Sequence, residues 1–367
     1  MAKPNHKIDH RRIRRILIMK WSSMGDVAIS TALMQDICNA YPQAEIDINT
    51  LPPWDQLFLN DPRFTRVLAI DLHSKGLAGT LALLRAIKAG RYDLIVDLQS
   101  NDRSRILLTL LHLFFYRVPH RVGNHRRYPY TIAPSPPAGK VLHAYEHQRM
   151  TLEAMGIAVT TPRPVLHVED QYRRRVAGLL ANRGLEPHGY AVFLPGCDAN
   201  GWLKRWGAAN YAGLAELLHR RRGYKVALIG ARDEQEECDA IAAKVNADWL
   251  VNLCGQTAMQ EIIPLCEQSA AIIANDTGTA HIASCSPTPM VVVCGATDPR
   301  RIKPVGPNVI ALQTQLECIN CYCKKPCDHD KACMQAISPA LVMTYLEEAE
   351  KKPAERILQP EEALLVC

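Results

Sequence analysis

Two doubly wound α/β domains, each a parallel sheet with helices on both faces, are predicted from three observations. Short β-branched runs alternate with helical stretches along most of the chain, and that order places a crossover helix between successive parallel strands. The chain has 367 residues, more than one hydrophobic core usually serves. The alternation lapses at a proline-rich loop over 128–140, lapses again at 160–164, where the interdomain linker is expected, and then starts again. The expected division is 1–165, 166–340 and a helical tail over 341–367.

The first strand is 16–19, followed by a helix over 28–40 that Tyr41-Pro42 ends. Strands at 45–49 and 66–70 come next, then a helix over 77–89 stopped by Gly90. A strand at 94–97 leads into a helix over 103–115, and another helix covers 143–155. The second half reads helix 170–182, strand 190–194, helix 208–222, strand 225–229 and helix 234–245. Strand 251–253, helix 258–268, strand 271–274, helix 279–284 and strand 290–293 continue the series. The tail from 339 reads as two helical pieces broken near Pro353 and Pro360.

Hydrophobic residues make up 48% and charged residues 22% of the chain, a globular composition that excludes fibrous and disordered classes. The net charge is +6. Cations gather in the first 15 residues and again at Arg117, Arg121, Arg126 and Arg127. Such clusters suit nucleic acid, anionic lipid or a phosphorylated glycan, or are plain solvated faces. The longest apolar run, 106–115, is too short to span a bilayer, which takes about 20 residues. It reads as a buried helix or as one that touches a membrane surface. The apolar run at 16–19 is too short for a secretory signal. Most of the thirteen cysteines sit singly in apolar contexts, as buried thiols do, and the expected compartment is cytosolic and reducing.

In open α/β sheets ligands bind beyond the carboxyl ends of the strands, so strand-end loops are where chemistry is sought. After the first strand comes Lys20-Trp21-Ser22-Ser23-Met24-Gly25-Asp26. Asp26 reads as a helix N-cap, as a base able to take a proton from a hydroxyl, or as both. The chain has no GxxxxGK[ST], and no GxGxxG follows the first strand, which disfavours an NTPase and a dinucleotide oxidoreductase. Leu194-Pro195-Gly196-Cys197 is followed by Lys204 and Arg205 between Trp202 and Trp206. This is a surface loop with aromatic anchors or a pair of cations for a diphosphate. Asn275-Asp276-Thr277-Gly278-Thr279-Ala280-His281 opens a helix with N–H groups and hydroxyls suited to an anion. In the plain structural reading Asp276 or Thr277 caps that helix and His281 packs beneath. Glu234, at the turn after 225–229, either accepts from ribose hydroxyls or favours its own helix N-terminus. Cys318, Cys321, Cys323, Cys327 and Cys333, with His329 among them, have a spacing compatible with thiolate-bound zinc or iron, with disulfides or with free thiols.

Five of these segments, in order, resemble the bacterial lipopolysaccharide heptosyltransferases of glycosyltransferase family 9. They are ILIMKWSSMGDV, DLQSNDRSRILL, LPGCDANGWLKRW, NDTGTAHIAS with VVVCGATDP, and the cysteine-rich CxxCY…CM stretch. The likeness runs from about residue 15 to 342 and departs from the pattern at Leu194, at Cys285-Ser286-Pro287 and at Cys294-Gly295. The resemblance implies the GT-B architecture, two Rossmann-like domains facing across a cleft, with an acceptor-binding N-terminal domain and a nucleotide-sugar-binding C-terminal one. It implies inverting transfer of heptose from ADP-heptose to the inner core of lipopolysaccharide, with no cofactor and no catalytic metal. Asp26 is then the general base and Lys204 neutralises the leaving diphosphate. Thr277, Gly278 and Thr279 hold phosphate oxygens, Asp276 lies beside the donor sugar and His281 supports the site. Gly196 belongs to the donor site, Glu234 binds ribose, and Thr257 and Met259 meet the adenine. Ser23, Arg103, Arg105, Arg126 and Arg127 are the expected acceptor contacts. The resemblance also implies peripheral contact with the inner face of the cytoplasmic membrane and no nucleic-acid partner. A protein-modifying heptosyltransferase and a non-catalytic nucleotide- or metal-binding protein are the alternatives.

Overall fold

The computed structural model of the chain describes residues 8–71, 76–124, 128–135, 139, 141–197, 199–322 and 327–357. Its contacts divide it into two units, Met1–Thr161 with Val165–His167, and Pro162–Pro164 with Val168–Cys367.

The first unit is built on β1 (Arg15–Met19), α1 (Met24–Ala40), β2 (Glu45–Thr50) and β3 (Arg66–Ala69). After these come α2 (Gly76–Gly90), β4 (Leu94–Asp97), α3 (Asp102–Leu110), β5 (His120–Val122) and α4 (Ala144–Ala154). All five strands are parallel in the order β3-β2-β1-β4-β5. Central β1 pairs Ile16 with Ile46 on one side and with Leu94 on the other. Its last four residues and all of β4 are buried, as in a sheet covered on both faces. Leu83, Leu84 and Ile87 of α2 pack with Leu107, Leu108 and Leu111 over Leu17 and Ile95.

The second unit begins with α5 (Asp170–Asn182), β6 (Tyr190–Leu194), α6 (Ala208–Arg222), β7 (Lys225–Leu228), α7 (Gln235–Val245) and β8 (Leu250–Asn252). It continues with α8 (Ile262–Glu267), β9 (Ala271–Asn275), α9 (Gly278–Ala283), β10 (Met290–Cys294) and α10 (Pro299–Ile302). The last elements are β11 (Val309–Gln313), α11 (Ala332–Gln335) and α12 (Pro339–Glu350). The order β11-β10-β9-β6-β7-β8 is a Rossmann winding that reverses between its first and fourth strands. Phe193, Tyr211, Leu214, Val291, Ile310 and Leu346 lie in its core.

Two strands escape the sequence reading. β5 is a three-residue edge strand with a buried Arg121 inside it, too short to show a period. β11 follows only the four-residue α10, so the helix that signals a crossover is missing. The expected helix over 103–115 is α-helical to Leu110 and ends in a π-turn at Leu111–Phe115, where the Tyr116 N–H donates to the Leu111 carbonyl at 2.8 Å. That turn keeps Leu111 buried and leaves Leu113 and Phe114 exposed. α1 starts four residues before the expected 28 because Ser23 is its N-cap and Asp26 occupies the third helical position, not the cap itself. The first tail piece is α12; the remainder from 358 lies outside the described residues. No helix among the described residues is long and apolar enough to cross a membrane.

Candidate active site

In each unit the strand order reverses at one place, and loops leaving the two strands there diverge to make room for a ligand. In the N-terminal unit that place lies between β1 and β4. The β1 loop is clamped to the β4 loop by Gln99, whose side-chain carbonyl accepts from the Trp21 N–H (3.1 Å) and the Ser22 N–H (3.4 Å). The Trp21 indole donates to the Asn49 Oδ1 at 2.7 Å, and the Asn49 amide donates onward to the Leu68 carbonyl at 2.8 Å. The ends of β1, β2, β3 and β4 are therefore tied together around Trp21. Directly beyond, Asp26 is half-buried, and its Oδ2 accepts from the Ser23 N–H (3.3 Å) and the Ser23 hydroxyl (3.4 Å). Helix capping and a base role are compatible here, since both bonds fall on one oxygen.

Lys20 and Asp97 lie beneath this loop. Lys20 is only 5% exposed. Burial drives its ammonium below the usual lysine range, while the negative charges of Asp26 and Asp97 pull it back up. Asp97 is fully buried, and burial raises its pKa against hydrogen bonds from Ser104 and Tyr130. The Tyr130 hydroxyl reaches its Oδ2 at 2.5 Å and the Ser100 N–H its Oδ1 at 2.8 Å. Sequence reading placed Lys20 and Asp97 only inside motifs and gave neither a role. The available signal was a charged residue at the end of an otherwise apolar strand, which is costly to bury and is kept where it is paired.

A carboxyl whose folded pKa is raised contributes stability that is present below its unfolded pKa and lost as pH rises through the folded one. Asp97→Asn removes that loss. The stability of the wild type relative to Asp97→Asn is therefore expected to fall as pH rises from about 4, near the unfolded aspartate value. Urea unfolding of both proteins across pH 4–8 measures it; parallel pH profiles would show that Asp97 titrates in the folded protein as it does in the unfolded one.

Of the expected acceptor contacts, Ser23 and Arg103 are exposed, and Arg105 forms an ion pair with Asp102 at 3.0 Å. Arg126 and Arg127 lie outside the described residues.

In the C-terminal unit the reversal lies between β6 and β9. The Asn275 side chain bridges the two loops. Its amide donates to the Pro195 carbonyl, and its Oδ1 accepts from the Trp206 N–H (3.2 Å) and the Tyr211 hydroxyl (3.1 Å). Next to it, Asp276 is buried and pairs with Lys204 at 3.0 Å. Asp276 also accepts from the Thr297 hydroxyl at 2.7 Å. Thr277 is the N-cap of α9, Gly278 and Thr279 begin it, and His281 is buried in it. Thr277, Gly278 and Thr279 remain partly open to solvent.

Glu234 packs against the loops after β6 and β7. It is 7% exposed, and its Oε2 accepts from the Ala231 N–H at 2.7 Å. A Cβ at Gly196 would stand 2.0 Å from its Oε1, and one at Gly230 would stand 2.9 Å from its Oε2 and 3.2 Å from the Cys254 sulfur. Both glycines are therefore needed for close approach. In this structure the carboxylate caps its own turn, the structural role that sequence weighed against ribose binding. Thr257 and Met259 flank Ala258, the N-cap of the next turn, whose N–H donates to Glu261 at 2.7 Å. Both are half-buried.

Gly196→Ala should push Glu234 off the Ala231 N–H. Losing that cap is expected to cost about 1–2 kcal/mol. Urea unfolding of Gly196→Ala, Glu234→Ala and the double variant tests this. The double variant should be little less stable than Glu234→Ala alone, whereas additive losses would mean that Glu234 holds its place.

Among the described residues every cysteine is a free thiol. Burial and the neighbouring Cys318, Cys327 and Cys321 raise the pKa of Cys333. Cys333 and Met334 pack on Gly295, where a Cβ would lie 2.8 Å from the Cys333 sulfur and 2.6 Å from the Met334 sulfur. Cys323 lies outside the described residues, and among those described no group of three or more His, Cys, Asp or Glu could hold a metal ion.

A family model, Glycosyltransferase family 9 (heptosyltransferase), matches residues 80–332. Lipooligosaccharide heptosyltransferase 2 of Haemophilus ducreyi is 26% identical over 320 residues, which cover 82% of this chain and 88% of that protein. The crystal structure of a family 9 glycosyltransferase from Veillonella parvula superposes with a TM-score of 0.74 at 20% identity, covering 92% of this chain and 97% of that one. The Escherichia coli ADP-heptose lipopolysaccharide heptosyltransferase II structure gives 0.68 at 23% identity, covering 91% and 98%. These likenesses show the fold, two parallel-sheet α/β domains of the GT-B class. With the family model matched over most of its length, the chain belongs to glycosyltransferase family 9, the heptosyltransferases.

Proposed function

We propose that this glycosyltransferase moves a heptose from ADP-heptose to a hydroxyl of the inner core of lipopolysaccharide, with inversion at the anomeric carbon. The observation that carries the reading is the Lys204–Asp276 pair at the β6/β9 switch point, beside the partly open Thr277–Thr279. A diphosphate leaving group needs a cation and oriented N–H donors where its charge develops. Lys204 and the start of α9 supply them on the C-terminal unit. The N-terminal unit holds the acceptor and, in Asp26, a carboxylate for its hydroxyl proton. As that proton passes to Asp26, the acceptor oxygen bonds to the anomeric carbon. The bond from that carbon to the β-phosphate oxygen breaks, and its electron pair leaves with ADP. In this scheme Lys204 bears the leaving charge and neither cofactor nor catalytic metal is required. Glu234 meets the ribose after giving up its cap, and Thr257 and Met259 meet the adenine. Asp276 orients Lys204 beside the sugar, His281 supports α9 from below, and Ser23, Arg103, Arg105, Arg126 and Arg127 face the anionic acceptor. Since that acceptor is a lipid, the enzyme works in peripheral contact with the inner face of the cytoplasmic membrane.

The test incubates the protein with ADP-heptose and heptose-deficient core lipid in EDTA, then measures ADP release and lipid mass. One heptose gained per lipid, with ADP released, is the expected result. Transfer to a protein acceptor instead of the lipid, or bound nucleotide with no transfer to any acceptor, would overturn it.

A further inference from the structure

Among the described residues, nothing covers the apolar outer faces of α2 and of α3 with its π-turn. Leu77 is 84% exposed and Phe114 73%, with Leu81, Ile106 and Leu113 also exposed. The two helices share one buried seam, and a cavity of about 360 Å³ beside it is lined by Trp21 and Leu51 after β1 and β2, by Thr80 of α2 and by Arg103, Ile106 and Leu110 of α3. Their outward stripes therefore adjoin. On α2, Leu77 and Leu81 lie on one stripe with Arg85 and Lys88, spaced four, eight and eleven residues from Leu77, and both cations are exposed. On α3, Arg103 precedes Ile106, and exposed Arg117 follows the π-turn. Contiguous exposed apolar surface of this kind marks an interaction site.

Charge identifies the occupant. The segment 76–140 carries ten Lys and Arg against three Asp, a balance of +7 where the whole chain has +6. The segment that exposes the apolar face is thus strongly positive, as are the first 15 residues. Apolar side chains flanked by Lys and Arg are what an anionic lipid surface takes up, with the rings and aliphatic groups below the headgroups and the cations among them. An interface between copies of this chain would bring the same cations together.

We infer that the α2 and α3/π-turn face docks the enzyme on an anionic bilayer, with Leu77, Leu81, Ile106, Leu113 and Phe114 entering the headgroup boundary. The inference rests on the lipid acceptor proposed above and names the surface that reaches it.

Co-sedimentation of the full chain with phosphatidylcholine vesicles containing about 30% phosphatidylglycerol, without donor or acceptor, tests it. The wild type is expected to sediment with these vesicles and to stay in solution with pure phosphatidylcholine. Leu77→Ser/Phe114→Ser should weaken binding at least about tenfold, and Arg85→Gln/Lys88→Gln about fivefold per cation lost. Heptosyl transfer to a delipidated core acceptor, measured separately, should be unchanged in both variants. Vesicle binding that neither double variant weakens would overturn the inference. So would a dimer in light scattering that Leu77→Ser/Phe114→Ser dissociates, since the face would then join two copies. Because binding is read without turnover, failure here is distinct from failure of the heptosyl-transfer reading.

Discussion

Asp26→Asn is expected to lower kcat by about 10²–10⁴-fold, the range a positioned general base supplies, with the donor KM little changed. The substitution is nearly isosteric. The asparagine Oδ1 still accepts from the Ser23 N–H that Asp26 holds at 3.3 Å, so α1 keeps its start. Any loss of stability should stay within about 1 kcal/mol, the usual worth of a cap. Steady-state ADP release and a thermal melt on the same preparation separate chemistry from folding. Lys20 sharpens the expectation. Lys20 is buried, and the negative charges of Asp26 and Asp97 raise its pKa against that burial, so the variant should lower that pKa further. A variant that melts as the wild type does but turns over normally would remove Asp26 from the proposed chemistry.

The fold was legible because parallel strands buried on both faces read as short apolar runs and their crossovers as amphipathic helices. Strands 94–97 and 190–194 and helices 170–182 and 208–222 match β4, β6, α5 and α6 residue for residue. Two of the four edge strands were not legible, although β3 and β8 were. β5 and β11 have neighbours on one side only and adjoin irregular or very short connections, so no period surrounds them. The family was legible from five motifs in order, four of them at the ends of β1, β4, β6 and β9.

Less legible was which polar groups already hold one another. Sequence offered Lys204, Asp276 and Glu234 as ligand contacts beside plain structural readings, without naming their partners. In the structure Lys204 and Asp276 pair at 3.0 Å, and Glu234 caps Ala231 at 2.7 Å. Asn275 and Gln99 carry the loop-to-loop hydrogen bonds that position these groups. No one-dimensional pattern separates an amide that crosses between strands from one that faces water.

Lys204→Ala is the second large expected effect, and its partner makes the test informative. Removing a cation from a developing diphosphate charge is expected to lower kcat/KM by about 10²–10³-fold. The same change leaves Asp276 with its side chain 5% exposed and only the Thr297 hydroxyl, at 2.7 Å, of the two contacts described. A buried carboxylate stripped of its cation destabilises the fold, here by about 1–3 kcal/mol because Lys204 itself is partly exposed. Lys204→Ala/Asp276→Asn separates the two consequences. The neutral amide needs no cation, so the double variant should recover most of the stability in urea unfolding. Turnover should stay low, because nothing replaces the charge at the leaving group. If turnover returned together with stability, Lys204 would serve to neutralise Asp276 and the leaving diphosphate would draw its stabilisation from the N–H groups of Thr277–Thr279. Persistent loss of turnover in a refolded, stable double variant would instead assign the leaving-group charge to Lys204.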